Sequence, residues 1–303
     1  MHEGQLYYKQ RSEIDTKKWD ECIDKASNGL IYAYSFYLDQ MADNWDGIVL
    51  EDYEAVMPLP WRKKFGFHYL YQPYFIAQLG VFGNILNASL VENFLLAIPP
   101  KFKLWEFSLN YQNIFQVKNF NLYERINFVL TLNQTYESLY AKYSENIKRN
   151  IKKSVQHSCH TKTDIDIADI IELSRHQQHK ASEDEFQKFK NLYCILKVRS
   201  ACKAYGIFSA KNELLASAVF TFSHNRAYYI MVGNHLNGRN MGASHALIDA
   251  FIRDHAEQNL ELDFEGSDIK NLAFFYSGFG AREEKYAAIK ENRLPWYIKW
   301  LKD

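Results

Sequence analysis

The feature that most constrains this chain is a repeat at half of its length. Three short segments of the first half recur in the same order about 160 residues later. The first-half segments are Trp105-Glu106-Phe107, Asn119-Phe120 and Ile126-Asn127-Phe128. Their counterparts are Leu262-Asp263-Phe264, Gly278-Phe279 and Tyr286-Ala287-Ala288. Because three matches in one register are hard to obtain by chance, the sequence predicts an internal duplication.

The duplication sets the expected fold class. A chain of 303 residues is long enough for two domains of ordinary size. Both halves alternate strand-like runs with helical ones, such as the runs 67–71 and 242–257. We therefore predict an α/β (α+β) protein of two tandem units, each a mixed, mainly antiparallel sheet flanked by helices. The boundary is expected near Asn133-Gln134, giving units 1–133 and 134–303.

Charge and cysteine content limit the functional classes. Lysine plus arginine equals aspartate plus glutamate at 36 each, so a general attraction to DNA or to an anionic membrane is not expected. The most apolar window, residues 80–100, contains several asparagines and a glutamate, which argues against a membrane span. The four cysteines form no Cys-x-x-Cys pair, so we expect reduced thiols in a cytoplasmic protein.

Four histidines and one cysteine lie within a short stretch of the sequence and are candidate zinc ligands by residue type. They are His157, Cys159, His160, His176 and His179. Their spacing matches no standard zinc motif, and the last two fall in a polar helical stretch. The sequence therefore predicts no metal.

The sharpest local pattern lies between a predicted strand, residues 227–232, and the long helical run that follows. It reads Arg-x-x-Gly-x-Ser, and its residues are Arg239, Asn240, Met241, Gly242, Ala243 and Ser244. A loop of this kind at a helix N-terminus exposes backbone N–H groups that can bind a pyrophosphate. The alternative is an ordinary Gly/Asn turn before a helix capped near Asn240.

These residues resemble the acyl-CoA pyrophosphate motif of the GNAT N-acyltransferase superfamily, Gln/Arg-x-x-Gly-x-Gly/Ala, with Ser244 at the last small position. Two later segments, 262–267 and 275–281, resemble the Asp-Phe-x-Gly and Phe-Lys-x-Gly-Phe-Gly elements of its tandem, FemAB-like branch. The resemblance implies acyl-CoA, such as acetyl-CoA, as the co-substrate of the second unit. The first half has no equivalent motif at 80–84, which implies a degenerate scaffold or substrate wall.

Acyl transfer to an amine needs a base, a stabilised oxyanion and a proton for the leaving thiolate. With the implied fold, Glu265 is the expected base, because it follows a predicted strand. Backbone N–H groups near Val232 and Gly233 are expected to face the oxyanion, and Tyr276 to protonate the thiolate. The alternatives are an ion-pair role for Glu265 and a core aromatic role for Tyr276.

A basic stripe adds a second candidate surface. Lys148, Arg149 and Lys152 fall on one side of a predicted helix that resembles the opening helix of the second FemAB-like unit. They are expected to bind the phosphate of a nucleotide-linked substrate or a tRNA backbone, unless they form only a solvated helix face.

Three functions stay open. The first is an N-acyltransferase that moves an acyl group from acyl-CoA to a small-molecule or peptide amine. The second is a FemAB-like aminoacyl transferase that uses aminoacyl-tRNA and a cell-wall precursor. Tyr276 stands where such enzymes usually have lysine, which weakens that interpretation. The third is a catalytically silent binding protein of the same fold.

Overall fold

The structure is a computed structural model that describes residues 4–175, 177, 181–266 and 268–295. The chain divides into two compact units. Of the described residues, the first unit contains 4–125 and 285–295, and the second contains Ile126–Glu284. Each unit is a mixed sheet with flanking helices, which confirms the predicted fold class. Compact units do not fix where a sequence repeat begins, so the boundary near Asn133 stays a prediction.

The strands are short to medium in length, and the longest has eleven residues. They are β1 (Leu6–Lys9), β2 (Trp45–Leu50), β3 (Ala55–Lys64), β4 (Phe67–Tyr71), β5 (Phe82–Gly83), β6 (Phe102–Ser108), β7 (Leu122–Thr131), β8 (His160–Thr163), β9 (Cys202–Phe208), β10 (Leu214–Ser223), β11 (Arg226–Asn234), β12 (Glu261–Asp263) and β13 (Arg282–Asn292).

The helices cover the sheets and are mostly capped by polar side chains. They are α1 (Thr16–Lys25), α2 (Ser35–Met41), α3 (Ala88–Leu96), α4 (Tyr136–Ala141), α5 (Glu145–Gln156), α6 (Ile167–Arg175), α7 (Glu183–Val198), α8 (Leu236–Met241), α9 (Ala243–His255) and α10 (Lys270–Ser277). No helix in the described ranges combines the length and the apolar composition that a bilayer crossing requires.

The sheet of the first unit has the order β1-β2-β3-β4-β6-β13, with β5 paired to β3. All neighbours are antiparallel except β4 and β6, which are parallel and are connected through α3. The core on one face of this sheet includes Phe94 of α3 and Trp105 and Phe107 of β6. Alternate residues of β6, such as Glu106, point to the opposite face, as the two-residue period of a strand requires.

The sheet of the second unit has the order β7-β12-β11-β10-β9-β8. Again one neighbouring pair is parallel, β11 with β12, and α9 makes the crossover between them. The core packs α5, α9 and α10 against the sheet, and Phe251 of α9 stacks on Phe220 of β10 at 3.8 Å between ring centroids. The two units thus share one plan, as the duplication predicts.

Each unit takes its last strand from the other half of the chain. Strand β7 ends the first half, but its residues 129–131 pair with β12 of the second unit. Strand β13 follows the second unit, but its residues 288–292 pair with β6 of the first. The repeated segments Ile126-Asn127-Phe128 and Tyr286-Ala287-Ala288 lie in these two strands.

Two helices differ from the sequence-based expectation. The sequence 136–155 has a continuous helical pattern and predicts one helix, but the structure divides it into α4 and α5. Ser144 caps the second of them by accepting from the Ile147 N–H. Helix α7 was missed altogether. Its start is marked in the sequence, because Ser182 and Glu185 form a capping box.

Candidate functional site

The second unit contains a cavity of about 600 Å³, here called the unit-2 cavity. Strand β11, the segment around α8 and α9, and helix α10 contribute its walls. The lining residues are Gln177, Tyr229, Val232, Asn234, Gly238, Arg239, Ser244, His245, Leu272, Phe275 and Tyr276. Apolar walls with a few polar groups are typical of small-molecule sites.

The unit-2 cavity opens where two parallel strands separate. Strands β11 and β12 are in register only from Arg226 to Tyr228, opposite Glu261 to Asp263. Strand β12 ends there, whereas β11 continues to Asn234. The pairing of β11 with β10 shifts register in the same stretch, and Met231 has a φ of 48°, so the strand carries a bulge. The lining residues Tyr229, Val232 and Asn234 all follow the last paired residue.

Three of the polar side chains that line the cavity are ionisable groups whose pKa is shifted by burial. The Nδ1 atom of His245 is buried without a hydrogen-bond partner among the described residues. Burial lowers the pKa of His245 to about 4, so its imidazole is neutral at pH 7. Burial raises the pKa of both Tyr229 and Tyr276, so both phenols keep their protons. A ligand that enters therefore meets these three side chains in their uncharged forms, and Arg239 carries the charge among the described lining residues.

The predicted pyrophosphate segment is helical rather than an open loop. Residues 236–241 form α8, and Gly242, with a φ of 71°, separates it from α9. A Cβ atom on Gly242 would lie 2.2 Å from the Asn150 carbonyl oxygen, and one on Gly238 would lie 2.4 Å from that of Leu215. The glycines are therefore needed for close backbone packing, in addition to any ligand.

Members of this segment have different surroundings. Arg239 and Ser244 line the unit-2 cavity, and Asn240 is exposed. Ala243 is buried and Met241 packs against the core. Helix α9 starts without a side-chain cap, so its first N–H groups are not satisfied by a neighbouring side chain.

A chain of amide and hydroxyl groups fixes the start of α9 to the end of β11. The Ser244 hydroxyl donates to Asn234 Oδ1, and Asn234 Nδ2 donates to Gln177 Oε1 at 3.1 Å. Gln177 Nε2 in turn donates to the Asn234 carbonyl at 3.0 Å. This arrangement holds one wall of the cavity in a defined position.

The two predicted catalytic residues, Glu265 and Tyr276, are close to each other, but they do not have the same access to the unit-2 cavity. Tyr276 lines the cavity and stacks on Phe264, with ring centroids 4.5 Å apart. After burial, the charge of Glu265 is the next cause that raises the pKa of Tyr276, which shows that the two lie near one another. Glu265 itself is half-buried and is not among the described lining residues of the cavity.

A buried network holds the strand end that carries Glu265. Asp263 Oδ1 accepts from the Glu265 N–H at 2.7 Å and from Asn127 Nδ2 at 2.9 Å. Asn127 Oδ1 accepts from the Gly266 N–H at 2.6 Å. Glu265 and Gly266 have φ angles of 61° and 86°, so these bonds stabilise a left-handed turn that sequence alone disfavours at Glu265.

The network is completed by one buried arginine. Arg226 Nη1 donates to Asp263 at 2.8 Å and to Glu284 at 2.9 Å, and Nη2 donates to Glu261 at 2.6 Å. Burial raises the pKa of Asp263, and the nearby guanidinium opposes that rise. Since three carboxylates share one buried guanidinium, the turn at Glu265 depends on Arg226.

The predicted oxyanion residues lie at the far end of β11. Val232 lines the cavity, and Gly233 is buried against α6, where a Cβ would lie 2.9 Å from the Leu173 Cγ. Gly233 is in register with Ser217 of β10. The backbone at this point is therefore held in position from both sides.

The basic stripe is separate from the unit-2 cavity. Lys148 pairs with Glu145 at 3.2 Å, and Arg149 donates to Asn146 at 2.8 Å. Exposed Lys152 lines another cavity of about 500 Å³, together with Arg253 and two tyrosines. The three predicted phosphate ligands thus do not converge on a single point.

Tyr229 and His245 are two of the cavity residues that sequence reasoning missed. His245 comes directly after the predicted motif, so its position was a usable signal. Tyr229 carries no local signal, because its access to the cavity depends on where β12 ends. Of the histidines whose spacing matches no standard zinc motif, His176 and His179 lie outside the described residues. In the described ranges no group of three histidine, cysteine or acidic side chains could hold a metal.

Comparison with known proteins relates this chain to solved structures rather than to sequences. No protein-family model matches it, and no curated protein matches it in sequence. The crystal structure of FemX is similar over 98% of this chain and 99% of its own, with a TM-score of 0.65 and 12% identity.

Two further structures are similar over nearly the whole chain. A tandem GNAT protein from the clavulanic acid biosynthesis pathway aligns over 96% of this chain and 99% of its own, with a TM-score of 0.55 and 11% identity. L-PGS from Bacillus licheniformis aligns over 95% and 94%, with a TM-score of 0.55 and 9% identity. The chain therefore has the tandem GNAT fold, in the FemAB-like arrangement that its sequence motifs resemble.

Proposed function

We propose that the second unit is an N-acyltransferase that uses acyl-CoA and an amine in the unit-2 cavity. The observation that carries the proposal is the opening between β11 and α10 beside the uncapped start of α9. A helix N-terminus together with Arg239 suits a pyrophosphate, since both favour anions. The apolar walls suit the pantetheine arm and the acyl group.

The side chains support the reaction in the following way. Glu265 takes a proton from the ammonium group, directly or through a water, and the amine nitrogen then attacks the thioester carbonyl. Backbone N–H groups near Val232 and Gly233 stabilise the oxyanion. The carbon–sulfur bond then breaks, and Tyr276, which burial keeps protonated, gives its proton to the thiolate. The remaining extra proton on the new amide nitrogen returns to the Tyr276 phenolate, so the phenol is restored.

The charge of the cavity favours an uncharged acyl group. Arg239 is the single charged residue among its described lining residues, and His245 is neutral at pH 7. An aminoacyl donor brings an ammonium group, which needs an acid or several acceptors when it is desolvated. This supports acetyl-CoA or another simple acyl-CoA as the donor.

A specific observation favours the FemAB-like aminoacyl transferase as the second candidate. The cavity at Lys152 also contains Arg253, Tyr136 and Tyr140, and the Arg253 guanidinium lies 4.8 Å from the Tyr136 ring centroid. Basic and aromatic side chains in one groove suit single-stranded nucleic acid, such as a tRNA acceptor end.

Isothermal titration with acetyl-CoA and with a tRNA pool separates the candidates. We expect acetyl-CoA to bind, and Arg239→Ala to weaken binding by roughly 1–3 kcal/mol because a charge-assisted hydrogen bond is lost. Lys211→Ala removes an exposed charge at a turn of the same unit and is the matched control. Unchanged affinity in Arg239→Ala would remove the phosphate assignment.

Binding of tRNA without acetyl-CoA, weakened by Lys152→Ala, would support the second candidate instead. Binding of neither ligand would leave the silent binding protein. Once an amine acceptor is found by screening, Glu265→Gln should lower kcat by about 10²–10⁴ at neutral pH. The loss should shrink at high pH, where the amine is already deprotonated.

A further inference from the structure

The first unit has a cavity of its own, of about 310 Å³, here called the unit-1 cavity. It lies on the sheet face opposite the core and crosses β4, β6 and β13. Leu104 lies among its lining residues, between the tyrosines of β4 and the polar residues of β13. This volume is at the lower end for ligand sites, which points to a ligand of amino-acid size.

One wall of the unit-1 cavity is aromatic and is held in place. The Tyr71 hydroxyl accepts from the Asp43 N–H at 2.9 Å. The guanidinium of Arg62 lies 4.2 Å from the centroid of the Tyr71 ring and pairs with Asp43. Tyr69 contacts Tyr71 edge-on at 6.2 Å between centroids. Because these rings are fixed before a ligand arrives, little ordering is needed on binding.

The same face presents a carboxylate and an ammonium side by side. Glu106 is in register with Tyr71 on one neighbouring strand and with Lys290 on the other. Opposite charges directly across two strands usually pair. Within the described residues, however, neither the Glu106 nor the Lys290 side chain has an ion-pair or hydrogen-bond partner. Both are exposed and directed to the cavity side of the sheet.

The charges that line the unit-1 cavity balance. Besides Glu106 and Lys290, they come from Arg125 and Glu291. Two acids and two bases suit a ligand that is neutral overall but carries both signs of charge. A simple anion such as phosphate would meet Glu106, and a simple cation would meet Lys290.

We propose that the unit-1 cavity binds a zwitterionic α-amino acid with an apolar side chain. Its ammonium group contacts Glu106, its carboxylate contacts Lys290, and its side chain lies over Leu104 against Tyr69 and Tyr71. The site is independent of the acyl-transfer site proposed in the second unit, so either assignment can fail without the other.

The test uses the full-length protein, with L-phenylalanine as the probe and saturation-transfer NMR and calorimetry as the measurements. Two analogues each remove one charge: N-acetylphenylalanine lacks the ammonium group, and phenylalanine amide lacks the carboxylate. We expect L-phenylalanine to bind at millimolar concentration and each analogue to bind about tenfold more weakly.

Two variants connect each charge to its partner. Glu106→Gln should weaken L-phenylalanine and its amide by about tenfold and leave N-acetylphenylalanine unchanged. Lys290→Gln should weaken L-phenylalanine and its N-acetyl derivative and leave the amide unchanged. Lys285→Gln is the matched control, because Lys285 is exposed on the same strand but pairs with Glu124 at 2.8 Å outside the cavity.

Three results would overturn the proposal. The first is the absence of L-phenylalanine binding at millimolar concentration in the folded protein. The second is an equal loss in the Lys285→Gln control, which would mean a general charge effect. The third is a variant effect that does not follow the missing charge of the analogue, which would place the ligand elsewhere or in another orientation.

Discussion

Each unit has one pair of parallel strands, and the two strands stay paired over a longer stretch in the first unit than in the second. In the first unit, β4 and β6 pair from His68 to Tyr71, and a further parallel bridge joins Leu79 to Leu109. In the second unit the pairing of β11 and β12 stops after three residues. In the second unit, the lining residues Tyr229, Val232 and Asn234 of β11 all lie beyond this short paired stretch.

Asparagine side chains fill the corresponding space in the first unit. The Val81 carbonyl accepts from Asn28, Asn110 and Asn113 at 2.8, 3.0 and 3.1 Å. A Cβ on Gly80 would lie 2.3 Å from Asn113 Oδ1. These side chains satisfy the backbone at the crossover of the first unit, where the sequence 80–84 has no Arg-x-x-Gly-x-Ser pattern.

The helices that connect the parallel strands, α3 and α9, also differ in how their first turns are capped. Asn87 caps α3 by accepting from the Leu90 N–H at 2.9 Å. Helix α9 begins after Gly242 and has no side-chain cap. A protein can leave a helix start uncapped where a ligand will satisfy it.

The largest expected effect tests the buried charge of the second unit. Arg226→Met leaves Asp263, Glu284 and Glu261 without their shared guanidinium, so we expect a loss of about 3–5 kcal/mol in the free energy of unfolding. Urea denaturation measures it, and hydrogen exchange should show that the second unit opens first. Arg11→Met removes a half-exposed pair with Asp39 in the first unit and should cost at most about 1 kcal/mol.

An equal loss in the free energy of unfolding for Arg226→Met and Arg11→Met would contradict this expectation. The buried arginine of the second unit would then contribute no more to stability than a half-exposed arginine of the first.

Glycine substitutions come next in size. Gly242→Ala combines a φ of 71° with a contact of 2.2 Å to the Asn150 carbonyl oxygen, so we expect a loss of about 3 kcal/mol. Gly66→Ala in the first unit has a φ of 83° but nothing within 4 Å of the added Cβ, and should cost about 1 kcal/mol. Thermal unfolding compares them. A similar loss at both positions would show that the positive φ alone, and not the contact with Asn150, determines the loss of stability.

A smaller effect depends on pH. Burial lowers the pKa of His245 to about 4, so between pH 4 and 6.5 the unfolded chain binds a proton that the folded chain does not. Stability should therefore fall as the pH drops through this range, by about 2 kcal/mol for this group. Urea denaturation at pH 7 and pH 4.5 should show that His245→Leu removes this part of the dependence.

The control is His68 of the first unit, which is half-buried and whose pKa is lowered first by burial and then by the charges of Lys63 and Lys101. His68→Leu should change the pH dependence less than His245→Leu does. The reverse order would mean that the unit-2 cavity is well hydrated.

The smallest effect concerns the capped helix. Asn87→Ala should lower the free energy of unfolding by about 1 kcal/mol, since the Leu90 N–H loses its acceptor. Hydrogen exchange in the first turn of α3 should rise in this variant. In the wild-type protein, acetyl-CoA should slow exchange in the first turn of α9 but not in that of α3. Slowing at α3 would contradict the assignment of the ligand to the second unit.

The repeat and the motifs were enough to predict the fold, because both can be recognised from short segments of the sequence. The duplication at Phe107 and Phe264 predicted two similar units, and comparison with solved structures confirms their architecture. The site was predicted less fully. The segment before Gly242 was expected as a loop, but residues 236–241 form α8, and Gly242 packs closely against Asn150 of α5.

Cavity lining was the hardest property to predict. Tyr229 follows the last residue of β11 that pairs with β12, so its access to the unit-2 cavity depends on where a strand distant in sequence ends. Such long-range causes leave no periodic pattern near the residues concerned. Helix α7 is different, because its capping box at Ser182 was readable and was overlooked.

The exchange of β7 and β13 has a consequence for synthesis on the ribosome. Domains generally fold in order from the N-terminus as the chain emerges. Here the first unit cannot complete its sheet until β13 has been made, whereas residues 126–284 are available earlier. The first unit therefore finishes folding after the second, and its β6 edge stays open to wrong partners while the second unit is being made.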